Sequence, residues 1–475
     1  MKKSLLLIVA LVAVFSAMAQ HEHLYIYRND NSFNYLEAAA IHSVNHPDNS
    51  RLQVAISDGD LLVDLEKIDS MVVRPTAIPD IYVALMEHPE LEDLIKGNGY
   101  TKETIYPADI ELKGNGMYED MSITGAEFRG RGNSTWNFAK TPYRFKMSKK
   151  AAVCGMKKAK TFALIANMID PSMMHNAIAF WLARRLGLPY TNSSIPVNVY
   201  INGHYRGAYI ITEKIGIGSG SVDIDEATGM LFEIDSNYDE DYKFEAYLSG
   251  YDNKLLPVMV KDPDLTEIKP DASEREAYWQ SWQRDFQTML DAVTGPKSAK
   301  LSTYVDLQDA ARFILVNSIA CNRELNHPKS FYLYKSSIDD VYHFGPVWDF
   351  DWSCGYDGVA WADHHWPLFN RDGDNAGATF FQHVCQNEEF MAVYKTVWQD
   401  FYENIYPEMM EYLDRYAALI EPSAKLNGLK WPDQNAAAYA MAPSSFDAKA
   451  KVDDLRNWIQ ARVDYCNRHS HLGLY

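Results

Sequence analysis

The chain has 475 residues and a formal net charge of −19, two units more negative once Lys2 and Lys3 leave with the leader described below. Such an acidic protein repels phosphate backbones, which argues against nucleic acid as a partner, while 47% hydrophobic residues suffice for large cores. Five cysteines without CxxC or CxxH spacing exclude a disulfide-built scaffold, signal no zinc site and read as buried free thiols.

Lys2 and Lys3, the apolar run Leu5 to Phe15 and the small-residue pattern Ala17-Met18-Ala19 form a secretory signal peptide, cleaved near Ala19. The run is too short for a permanent anchor, and no later segment is apolar enough to span a membrane. The mature chain is therefore expected to be exported, to the periplasm, the cell surface or the medium.

Residues 20–110 read as a small β-rich module, with LYIYRND, RLQVAI, DLLVDL and DSMVV as short strands and a short helix from Pro79 to about Ile95. From 111 to 475 the texture is that of a larger mixed domain. Phe128 to Met147 places the turn RGRGNSTW between two strands. Gly130 and Gly132 allow backbone N–H groups close to an anion, and Arg129, Arg131, Lys140, Arg144 and Lys146 supply cations. Period two puts Arg144 and Lys146 on one strand face. Taken alone, this is also the pattern of a hairpin with a solvated basic strand, the plainer reading until another motif agrees.

Pro171 to Leu186 predicts a buried core helix capped by Asp170. Asn202-Gly203 joins two strands, Ile195–Ile201 and His204–Ile211, in a hairpin that runs into Thr212-Glu213-Lys214. The acid-rich stretch 223–241, with LFEID, reads as a solvated loop and edge strand rather than a cation site. Helices are predicted over Glu274–Val293 and Tyr304–Ala320, the second leading into CNRELNHPKS.

A further hairpin, from Ser330 to Val347, delivers Asp349 and Asp351 among Trp348, Phe350 and Trp352. Two carboxylates in so much aromatic surface suit a hard divalent ion such as Mg²⁺; capping of a turn is the alternative. His364 and His365 read as loop residues, and amphipathic helices fill Phe380 to about His469.

The ordered motifs RGRGNSTW with KTPYRFKM, NMIDPSMMHN, VNVYINGHYRGAYIITEKI, NHPKSFYLYK and PVWDFDWS resemble the CotH family of spore-coat-type secreted kinases, over roughly residues 123 to 469. The N-terminal module resembles one placed ahead of such domains in Bacteroidetes-type secreted proteins. The resemblance implies an α+β fold: a divergent protein-kinase-like bilobal domain preceded by the small β-rich module. It implies ATP and Mg²⁺ (or Mn²⁺) as cofactors and phosphate transfer to a protein or other hydroxyl. Arg131, Gly132, Asn133 and Arg144 would then hold phosphates, with Lys146 as the phosphate and catalytic cation and Glu213 in the hinge. Glu324 would be the base, with Asp349 as principal metal ligand assisted by Asp351 or Asn326. The family usually carries Asp where Glu324 stands and Asn where Ser330 stands; these departures bear on turnover more than on fold and leave a nucleotide-binding or purely structural pseudokinase as an alternative. A non-catalytic surface or matrix protein, binding glycans or partners through the same pocket and a rim of Trp348, Trp352, Trp361 and Trp366, is the competing reading. A metal-dependent hydrolase lacks an evident third ligand.

Overall fold

The computed structural model describes residues 23–28, 33–37, 41–48, 50–56, 59–74, 78–251, 254–355, 365–369, 375–431 and 448–475. The leader, Trp361 and His364 lie outside the described residues. The fold is α+β.

Six strands come first: β1 (His23–Arg28), β2 (Phe33–Glu37), β3 (Ile41–Asp48), β4 (Arg51–Ile56), β5 (Gly59–Asp64) and β6 (Ile68–Arg74). They form two antiparallel sheets, ordered β2-β1-β6 and β3-β4-β5. Leu24, Ile26, Leu52, Val54 and Val63 share one small core.

A closed seven-stranded barrel follows. Its strands are β7 (Asp80–Leu85), β8 (Tyr106–Lys113), β9 (Met121–Gly130), β10 (Tyr143–Ala151), β11 (Ala159–Ile165), β12 (Ile195–Ile201) and β13 (His204–Glu213). The helix expected from Pro79 is instead β7. Its side chains alternate, with Ile81, Val83 and Leu85 buried and Tyr82 and Ala84 exposed, and period two selects a strand. Strand β7 closes the ring by pairing in parallel with β12, more than a hundred residues away. Both β7 and β8 are barrel strands, and the division drawn near residue 110 falls within β8. The β12–β13 hairpin turns at Asn202 (φ 46°) and Gly203 (φ 82°), the left-handed pair that a two-residue loop requires.

The rest of the chain builds a second, larger core. A five-stranded sheet has the order β15-β16-β14-β17-β18, from β14 (Met230–Ile234), β15 (Lys243–Tyr247), β16 (Leu255–Asp262), β17 (Phe331–Lys335) and β18 (His343–Phe344). Among the described residues, seven helices longer than a single turn pack with it: α1 (His175–Arg185), α2 (Ala272–Val293), α3 (Leu307–Ala320), α4 (Ala376–Gln386), α5 (Glu388–Asp400), α6 (Tyr406–Lys430) and α7 (Ala448–Arg468). Side-chain caps start three of them: Asp271 accepts from Ser273 and Glu274 N–H, Asp306 from Asp309 N–H, and Asn387 from Phe390 N–H. LFEID is not an edge: β14 lies between β16 and β17 and is buried throughout. The first predicted helix begins later than Pro171 because Met173 takes φ 58°, and Asp170 instead gathers the N–H groups of Ser172 and His175.

None of the described helices is long and apolar enough to cross a membrane. All five cysteines are free, four of them buried.

Candidate functional site: a cavity with a basic wall and an acidic floor

Between the barrel and the second core lies a cavity of about 510 Å³. The barrel contributes the turn after β9. A Cβ at Gly130 would collide with the ring of Trp136, and Gly132 sits at φ +83° against the Thr135 hydroxyl, so both positions need glycine. Arg131 N–H donates to Pro142 O at 3.1 Å, and its guanidinium lies over the Trp348 ring at 5.2 Å from the centroid. Arg144 on β10 is paired with Arg129 on β9, so the two guanidinium groups and Arg131 crowd the same wall. Burial pushes the Arg129 guanidinium down to about 10, helped by Arg144 and Arg131. Burial likewise lowers Arg144 and Arg131, although Asp349 works against it at Arg131. Cations that depress one another around an open cavity make a seat for an anion.

The opposite side is acidic. The turn after α3, Arg323–Asn326, carries Glu324; the end of β14 carries Glu233 and Asp235; the segment after β18 carries Asp349 and Asp351. Asn322 ties two of these pieces together, accepting from Glu324 N–H at 3.3 Å and donating to Asp349 O at 3.1 Å. Asn176 of α1 ties a third, accepting from Phe350 N–H at 3.1 Å and donating to Asp351 Oδ1. Glu233 is satisfied by the Tyr332 hydroxyl (2.8 Å) and by Lys261 (2.7 Å), which Glu240 shares at 2.7 Å.

Burial raises Asp349, with Arg131, Lys329 and the Ser330 hydroxyl opposing. Burial, and then the charge of Asp349, push Asp351 up to about 7, against the Asn176 amide. Glu324 is raised well above the carboxylate range, first by burial and then by Asp349. Its Oε2 is buried without a hydrogen-bond partner among the described residues. Oxygen donors only, mutually repelling, with one orphaned carboxylate oxygen, fit a hard divalent cation.

Of the residues singled out from the sequence, Arg131, Gly132, Asn133, Arg144, Glu324, Asp349 and Asp351 line this cavity. Lys146, Glu213 and Asn326 do not. Lys146 is 45% exposed and faces Glu127 at 3.8 Å, so Arg144 is the strand cation that reaches the cavity. The Glu213 carboxylate is taken by Ser193, from its N–H at 2.8 Å and its hydroxyl at 2.7 Å. Asn326 donates to Leu368 O at 3.0 Å, and its Oδ1 is buried and unpartnered among the described residues. Lys140 is fully buried, donating to Ala208 O at 2.6 Å, and burial pushes it down to about 7. Sequence reasoning missed Asn176, Glu233, Asp235, Lys261 and Lys329 as cavity residues, whereas Lys214 lies in the stretch expected to form the hinge. The signal in LFEID was an acid inside an unbroken apolar run. Of the tryptophans offered as a glycan rim, Trp348 and Trp352 line the cavity, Trp348 also stacks on Phe180, and Trp366 lies under Arg323.

A second cluster, Asp306, Asp309 and His343, brings its ligand atoms within 4.8 Å of one another. Its groups already have structural work: Asp306 caps α3, Asp309 pairs with Arg312 at 3.3 Å, and His343 Nδ1 meets Asp309 at 2.8 Å.

Basic residues facing carboxylates across one cavity are compatible with a kinase-like protein. The family model described as CotH kinase protein matches residues 128–466, and the chain belongs to that family. Membership implies use of a nucleotide and a divalent metal. No curated protein matches the chain.

Proposed function

We propose that this chain is an exported phosphotransferase that binds ATP with Mg²⁺ or Mn²⁺ in the cavity and passes the γ-phosphoryl group to a hydroxyl of a protein or another acceptor. One observation carries the reading: Arg131 and Arg144 on the barrel side face Asp349 and Asp351 across a single cavity. The barrel and the second core take the roles of the two lobes of a kinase-like domain.

Arg131, Arg144 and the turn N–H groups bind the phosphates, and Asp349 and Asp351 hold the metal. When bound, the metal neutralises charge on the phosphate oxygens. Asn176 orients Asp351 by donating to Oδ1, and Trp348, held by Phe180 and Arg131, walls the phosphate seat from water. Glu324 accepts the acceptor's hydroxyl proton at Oε2, which has no other partner among the described residues. Burial and then the charge of Asp349 raise the Glu324 carboxyl well above its ordinary range. A positive charge held at Asp349 would favour the ionised form of Glu324.

The test is transfer of labelled γ-phosphate by the mature chain to a mixture of protein and glycan acceptors, with Glu324→Gln beside it. Transfer that the variant loses supports the reading. Transfer that survives Glu324→Gln removes Glu324 from its role, and a chain that binds no nucleotide refutes the reading as a whole.

A further inference from the structure

The β10–β11 hairpin carries Lys146, Lys149, Lys150, Lys157, Lys158 and Lys160 with no acid between them, in a chain of net charge −19. All six are exposed. Lys146 faces Glu127 at 3.8 Å. Among the described residues the other five have no side-chain ion pair or hydrogen bond. The ladder explains how neighbouring lysines both reach solvent. Lys146 pairs with Thr161 and Ala151 with Ala159, so Met147–Lys150 stand opposite Lys160 alone, and this bulge breaks the alternation of a regular strand. Beneath the lysines the hairpin is anchored, because Val153, Cys154 and Met156 enter the barrel core. The chain after Lys214 packs on it closely: a Cβ at Gly220 would lie 2.8 Å from the Cβ of Ala159, and one at Gly218 would lie 3.9 Å from Lys150 Nζ. Like charges gathered on one hairpin repel each other and add nothing to the fold. An anion outside the fold would relieve that repulsion.

Two observations select the kind of anion. The large apolar side chains of the hairpin, Met147, Val153 and Met156, are buried, so it presents nothing to insert into a bilayer or to stack on a sugar or a base. The rest of the chain is strongly acidic, so an extended polyanion would be repelled wherever it ran past the hairpin. A short acidic segment stays within the roughly 8–10 Å over which the lysine charges act in physiological salt. We propose that the β10–β11 hairpin is a docking surface for an acidic polypeptide segment of a partner protein. The surface is separate from the phosphotransferase reading, since none of the six lysines lines the cavity.

The experiment is fluorescence anisotropy of a labelled oligoglutamate peptide with the mature chain, beside a variant combining Lys149→Glu, Lys157→Glu and Lys158→Glu. A control of equal net charge combines Lys297→Glu, Lys300→Glu and Lys395→Glu, three lysines exposed on the second core. Each exposed ion pair contributes up to about 5-fold in affinity, so the hairpin variant binds the peptide about 30-fold more weakly or worse, while the control stays within about 3-fold of wild type. Raising salt from about 50 mM to about 500 mM abolishes binding by wild type. Circular dichroism checks folding. Should the reversal fail to fold, the same three lysines changed to Gln take its place, with an expected loss of about 10-fold. No binding by wild type at low salt, or equal losses in the hairpin variant and the control, overturns the proposal. Phosphatidylglycerol vesicles or heparin held more tightly than the peptide overturns it in favour of a polyanionic surface. Self-association of wild type at low salt that the hairpin variant loses, seen by sedimentation, overturns it in favour of a second copy of this chain.

Discussion

The pH dependence of stability isolates Asp351. Its carboxyl, 7% exposed, is moved from 3.8 to about 7 by burial and by Asp349. The folded-state pKa is raised above the unfolded value, so the protonated acid favours the folded state. That stability is fully present below 3.8 and is lost as pH rises through 7. A displacement of about three pH units at about 1.36 kcal/mol each corresponds to about 4 kcal/mol lost from the metal-free chain. Asp351→Asn keeps the oxygen that accepts from Asn176 and cannot ionise, so its stability stays level over the same window. A divalent cation at Asp349 and Asp351 cancels the repulsion and restores the wild type. The assay is urea unfolding with chelator or with excess Mg²⁺ from about pH 5 to about pH 8, where about two of the three units, about 3 kcal/mol, fall. Equal pH slopes in wild type and Asp351→Asn, or a slope that Mg²⁺ leaves unchanged, would refute the assignment of these acids to a cation.

The other predictions concern the two sides of the cavity. Arg131→Ala weakens ATP binding about 10- to 100-fold, the scale of a hydrogen bond to a charged group, whereas Lys146→Ala, whose exposed partner is Glu127, leaves it within about 3-fold; calorimetry reads both. Glu324→Gln lowers the transfer rate by roughly 10²–10⁴ while ATP still binds, seen as labelled-phosphate transfer against calorimetric affinity. Gly132→Ala strains the turn at φ +83° and drives the Thr135 side chain away, so it costs nucleotide affinity and about 1 kcal/mol or more of stability, measured by calorimetry and urea unfolding. Lys140→Met removes a rise in stability with pH: the buried lysine is lowered from 10.5 to about 7, so the unfolded chain binds the extra proton between those values and wild type gains stability across them.

What could be read from the sequence was local. Asn202-Gly203 specifies its hairpin because few residue pairs accept two left-handed conformations. The glycine turn and the Asp349–Asp351 pair stand out because their residue types conflict with their apolar or strand-like surroundings. Closure of the barrel was hidden, since β7 and β12 pair in parallel across more than a hundred residues and no short-range period encodes such pairing. Glu233 and Asp235 were hidden by the acidity around them. Their burial depends on Tyr332 and Lys261 from the two neighbouring strands, and on Ser330 N–H. Lys146 and Arg144 share a strand face, but two residues displace a side chain by roughly 6–7 Å along it, enough to put one in the cavity and the other at Glu127. Asn176 closes the motif NMIDPSMMHN, but nothing local shows that its amide reaches Asp351, 175 residues away.

The central claim, that the arginine wall and the Asp349–Asp351 floor together hold a metal nucleotide, is tested most directly by isothermal titration of the mature chain with ATP. Heat of binding in the presence of Mg²⁺ or Mn²⁺, lost with chelator, in Arg131→Ala and in Asp349→Asn, is the predicted result. Binding of ATP that is indifferent to the metal and to both substitutions, or no binding by the folded wild type, would contradict it.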